Sequence, residues 1–138
     1  SSAASDVYKR QFLIFTIMKA NQIKNQIENQ LQNQLATFSM LNSALPAISQ
    51  IAQTLTDLLP QPEELSFYHS HNWTLDSAHG AEITSLILDT SYQESDRDFE
   101  TPIIEKLNFE LNSDLGSIRI TSSNIADGLI LLNISYLE

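Results

Sequence analysis

His69-x-His71, with Asp76 and His79 close behind, is the stretch of this sequence whose side chains most resemble a metal shell. Two histidines at i and i+2 on a strand share a face, and a carboxylate with a third imidazole would complete a zinc site. Asn72, Asp76, Ser77 and Gly80 supply turn chemistry through the same stretch, so exposed polar loop residues are the simpler reading. No metal or cofactor is expected there. A second cluster, Glu94, Asp96, Asp98 and Glu100, could hold a cation, but acidic residues are favoured at a helix start in any case.

Other chemistry is thinly represented. The chain has no cysteine, which excludes a disulfide framework, a thiolate nucleophile and a Cys-ligated metal, and is compatible with a periplasmic location. It contains no Gly-rich phosphate loop, G-x-S-x-G elbow or paired general acid and base, and its serines lack a base in register. An enzyme is not the expected function. With 17 acidic against 7 basic residues and a formal charge of −10, the chain is poorly suited to neutralising phosphates, which argues against nucleic-acid binding.

The elements that must position these residues begin with an abrupt junction. SSAASDVYKRQ runs directly into the apolar FLIFTIMKA, and Asp6 to Gln11 back-translates into the end of a sequencing-library adapter. Residues 1–11 therefore resemble a translated cloning scar and stand outside fold reasoning, the alternative being a genuine disordered polar tail. Without Asp6, Lys9 and Arg10, whose net charge is +1, the formal charge becomes −11. Phe12 to Met18 is a run of seven residues, far short of the ~20 needed for a membrane span. It is expected to be the end of a truncated transmembrane helix. Two alternatives stay open: an apolar helix start packed on the domain, and a soluble protein that begins at Met18.

Residues 21–36 read NQIK NQIE NQLQ NQLA. The apolar positions Ile23, Ile27, Leu31 and Leu35 drift by about 40° per tetrad around a helix, and Phe38 and Leu41 correct the drift with steps of three. Leu45, Ile48, Ala52, Leu55 and Leu59 continue the stripe. Ser43 is expected to cap a second helix with Pro46 in its first turn, and Pro60-Gln61-Pro62 to end it. Residues 19–42 are expected to form a coiled-coil stalk whose partner seam is Ile23, Ile27, Leu31, Leu35, Phe38 and Leu41. Replacing Ile27 and Leu31 with aspartate should then abolish dimerisation. The Asn/Gln content also has a simpler reading, a solvated low-complexity face.

Beyond Pro62 the period changes to two. Strands are expected at Leu65–His69, Ala81–Tyr92, Ser117–Ser122 and Leu129–Leu137, with Asp127-Gly128 as a hairpin turn. A helix opening near Ser95 and Asp98, or at Thr101-Pro102, would turn Phe99, Ile103, Leu107 and Leu111 inward and stop at Gly116. The expected fold is α+β. A long N-terminal helix precedes an αββαββ domain, residues 43–138, with a four-stranded antiparallel sheet and both helices on one face.

The run FLIFTIMKA, the leucine-rich helix ending in LTDLLPQPEELSF, and the strand-then-helix ITSLILDTSYQESDRDFETPIIEKL together resemble the inner-membrane assembly proteins of type IV pili and type II secretion, the PilN and PilO families and their GspL- and GspM-like counterparts. The resemblance covers Phe12 to Glu138, although Thr90-Ser91-Tyr92 stands where such proteins often carry a glycine. It implies a single-pass protein of the bacterial inner membrane with a periplasmic domain of permuted ferredoxin-like fold. It further implies a structural role, with homo- or heterodimerisation through coiled coils and domains, and exposed strand edges as second contacts. The alternative function is a soluble ferredoxin-like binding or regulatory domain.

Overall fold

Two helices open the chain, α1 (Ser2–Gln34) and α2 (Leu41–Leu58), in a computed structural model that describes residues 2–75 and 81–137. A short 3-10 turn, Pro62–Glu64, leads into strands β1 (Ser66–Leu75) and β2 (Ala81–Asp89). Helix α3 (Glu100–Lys106) and strands β3 (Phe109–Ser113), β4 (Gly116–Ala126) and β5 (Leu129–Leu137) follow. The fold is α+β, and the sheet has five strands in the order β1-β2-β5-β4-β3, each neighbour antiparallel.

The expected four-stranded sheet is corrected by β3. Phe109 and Leu111 also fit a strand, because they alternate with Glu110 and Asn112, and the structure uses that period. Asn108 makes the switch: its amide nitrogen donates to the Ile104 carbonyl and to Ser122 Oγ, and its Oδ1 accepts from the Ser122 N–H at 3.2 Å. These bonds turn the chain out of α3 after seven residues and lay it beside β4. Strand β1 is also longer than expected, taking in Trp73 and Leu75, which pair with Ile83 and Ala81.

All three helices pack on one face of the sheet, which carries Phe67, Leu86, Leu88, Ile120, Leu132 and Ile134 among its buried side chains. Along β5 burial alternates strictly, Ile130, Leu132, Ile134 and Tyr136 being inside, as a period of two requires when one face is covered. The break between α1 and α2 falls at residues 35–40, not at Ser43. Tight i to i+3 bonds from the Phe38 N–H to the Leu35 carbonyl and from the Leu41 N–H to the Phe38 carbonyl turn the chain while both Leu35 and Phe38 stay buried. Glu82 locks this turn to the sheet, accepting the Ser39 N–H at 3.0 Å and the Ser39 hydroxyl. Pro46 sits inside α2, and the buried stripe is Ala44, Ala47, Ile48, Ile51, Ala52 and Leu55, rotated so that Leu45 is exposed.

Candidate interaction surfaces

Helix α1 divides into two halves with different surroundings. From Ile23 onward its apolar stripe enters the core: Ile27 and Leu31, with Leu35 and Phe38 of the following turn, are almost wholly buried, and Ile23 and Leu41, the first residue of α2, pack against them half-buried. The six residues of the expected partner seam are therefore brought together, but against the chain's own α2 and sheet. That corrects the seam, and it puts the stretch from Ile23 to Leu41 against the core and not in a stalk. An amphipathic helix needs an apolar surface to cover its stripe, and here α2 and β1 provide one within the same chain. The core accordingly begins near Ile23, not at residue 43.

The other half of α1 has no cover. Every described residue from 4 to 22 is exposed, and Phe12, Leu13, Ile14, Phe15, Ile17 and Met18 are each more than half exposed. Successive residues point about 100° apart around a helix, so these six cover every side of it. Among the described residues, no helix is long and apolar enough to cross a membrane. Lys24 and Glu28, the one ion pair found along this helix among the described residues, lie 3.8 Å apart where the helix meets the domain.

The described backbone sets His69 and His71 of the histidine cluster out of strict alternation. His69 pairs with Leu86 and His71 with Ser85, adjacent residues of β2, with a bulge between them. The strict alternation that would set two i, i+2 residues on one face is interrupted there. Asp76 and His79 lie outside the described residues, and among the described residues no three metal-type ligands gather.

The acidic cluster acts as a helix start. Asp98 Oδ1 accepts the backbone N–H groups of Glu100 at 3.0 Å and Thr101 at 3.3 Å, and Glu100 accepts the Gly128 N–H and the Asn124 amide. Neither Ser95 nor Thr101 takes the capping position; the Ser95 hydroxyl instead accepts the Arg97 N–H. An open cleft of about 380 Å³ runs past Thr90, Ser91, Arg97, Asp98, Glu100, Asp127 and Gly128, with the Asp98 and Glu100 carboxylates engaged in these structural bonds.

The Thr101 hydroxyl, then the Thr101 N–H, hold the Asp98 carboxyl below its ordinary 3.8. A carboxylate depressed in the folded state stabilises above its unfolded value, and that contribution is lost as the pH falls through the folded one. Unfolding curves of Asp98→Ala and the parent chain should therefore differ at neutral pH and converge as the pH drops below 3.8. A constant difference down to acid would remove the charge from the cap.

No family model matches this chain, and neither a curated protein nor a solved structure does so.

Proposed function

We propose that this chain is the domain-side part of a membrane-anchored assembly scaffold, of the kind that forms the inner-membrane complex of type IV pili or type II secretion. The observation that carries the proposal is the uncovered first half of α1, apolar on every side from Phe12 to Met18. A partner helix would cover a single stripe, whereas a helix apolar all round suits a surrounding medium such as a bilayer. Seven residues rise only about 10 Å, so the proposal requires further apolar residues upstream of Phe12. Reading residues 1–11 as an adapter scar is in keeping with that requirement.

The fold is compatible with the same family. With β3 set aside, the remaining strands run β1-β2-β5-β4, all antiparallel, with a helix before each pair and the helices on one face. That is the arrangement an αββαββ domain needs, and β3 is an added edge strand. The role proposed is structural and not catalytic. The domain would lie in the periplasm and join a second copy or a paralogous assembly protein as a homo- or heterodimer, while α1 leads back to the inner membrane.

A second reading, a soluble binding or regulatory domain starting at Met18, is favoured by the same exposure. Removing residues 1–17 would take away seven of the exposed large apolar side chains.

One experiment separates the two. The gene is recovered with its upstream DNA, expressed, and its product extracted from membranes with carbonate. A product retained in the membrane, whose gene deletion abolishes surface fibres or secretion, supports the scaffold. A stop codon ahead of Met18 with a soluble product overturns the anchor, and intact fibres and secretion after deletion overturn the assembly role.

A further inference from the structure

The sheet has a second face that, among the described residues, no helix covers. Register places Tyr68, which is exposed, and the half-buried Ile83, Ile87, Leu129, Leu131 and Leu137 on it, opposite in parity to the buried Phe67, Leu86, Leu88, Ile130 and Leu132. An antiparallel sheet that turns one face to water normally shows clean alternation of apolar and polar residues. Strand β5, LILLNISYL, does so only at Asn133 and Ser135: leucines at 129, 131 and 137 stand on the outer face as well. Apolar residues on both faces of a central strand are the pattern of two-sided burial, and β5 is the middle strand of the five.

Charge distribution indicates what could provide the missing cover. The chain carries 17 acidic residues, yet among the described residues only Asp89 and Glu110 lie on this face. Glu110 is paired with Arg119 at 3.2 Å, and Asp89 accepts the Ser91 N–H at the strand end. Two copies of so acidic a molecule approaching elsewhere would bring carboxylates together, which like-charge repulsion disfavours. On this face they would not.

The extent also fits. Five strands of five to eleven residues, spaced by about 4.8 Å, present a flat area of roughly 600 Å², of the same order as the ~800 Å² per partner of a stable interface.

We infer that a second copy of this chain packs its uncovered sheet face onto this one, β5 over β5 about a two-fold axis, as in a β-sandwich. The interface rests on the self-association part of the function proposed above and does not involve the membrane. It also differs from the helical seam that the tetrads suggest.

The chain's lack of cysteine makes the test direct. Ser135→Cys sits on the outer face of β5, and Gln50→Cys on the exposed side of α2 serves as control. The full chain is held in a mild non-ionic detergent that occupies the apolar turns of α1, and is treated with a bismaleimide spanning about 10 Å, the separation of packed sheets. Ser135→Cys should give a covalent dimer and Gln50→Cys should not. Adding Leu131→Lys to Ser135→Cys should cut the yield by at least about tenfold, because like charges would then meet near the axis.

Circular dichroism and melting temperature confirm that each variant is folded, and Ile87→Lys replaces Leu131→Lys if the latter is not. Absence of a Ser135→Cys dimer, equal cross-linking of Gln50→Cys, or a folded lysine variant that cross-links undiminished overturns the inference. A monomeric result leaves the membrane anchor standing, since carbonate extraction reads α1 alone. A soluble gene product leaves the sandwich dimer standing.

Discussion

Replacing Ile27 and Leu31 together with aspartate should leave this protein unfolded at room temperature, seen as loss of the sheet signal in circular dichroism and of any cooperative melt. Both side chains are essentially inaccessible, at 1% and 0% exposure, among the apolar residues that join α1 to α2 and the sheet. An unpaired carboxylate in such a place costs several kcal/mol in desolvation or in forced protonation, and the lost apolar packing adds about 2–5 kcal/mol per site. Two such sites cost about 10 kcal/mol or more, comparable to the whole 5–15 kcal/mol that holds a typical domain.

The same change a few turns earlier, at Ile14 and Phe15, should alter stability by no more than about 0.5 kcal/mol, because neither residue touches the core. A stably folded Ile27→Asp, Leu31→Asp protein that had lost only its dimer would restore the helical seam in place of the packing described above.

Gly116→Ala should lower stability by about 2–4 kcal/mol and the melting temperature by roughly 10 °C. Gly116 follows the two-residue turn that joins β3 to β4 and adopts φ +147°, a conformation that L side chains rarely take. A Cβ built there meets the Leu137 carbonyl oxygen at 2.7 Å and the Tyr136 ring at 2.8 Å. Neither neighbour can give way easily. The Leu137 oxygen belongs to the backbone of β5, and the Tyr136 hydroxyl donates to the Leu115 carbonyl within the turn itself. Thermal unfolding of Gly116→Ala beside Asp114→Ala, an exposed change in the same turn, checks this: equal melting temperatures would show that the turn relaxes at no cost.

Strand β5 was legible residue for residue, from Leu129 to Leu137, because Asp127-Gly128 marks its hairpin and its apolar run has no competing helical period. Strand β3 was not, since Phe99, Ile103, Leu107 and Leu111 recur at helical spacing while Phe109 and Leu111 equally satisfy a period of two. Local pattern leaves the two tied over so short a stretch. Asn108 breaks the tie through Ser122, a residue 14 positions away. The helix break at residues 35–40 was misplaced for a similar reason. Ser43 and Pro46 carry a local signal, but burial of Leu35 and Phe38 and the contact of Ser39 with Glu82 set the turn.

The sequence by itself determined which side chains share a face: Ile23, Ile27 and Leu31 on one stripe of α1, the alternate residues of β5 in the core, and Phe12 to Met18 on no single side. It also determined, through its lack of cysteine, that no thiol chemistry operates here. Tertiary structure alone decided what lies opposite each face. The stripe from Ile27 to Phe38 found α2 and the sheet of its own chain, the first half of α1 found no cover among the described residues, and a fifth strand joined the sheet's edge. The physical reason is that periodicity follows from local backbone geometry, whereas hydrophobic attraction is non-directional and accepts whichever apolar surface the rest of the chain brings within reach.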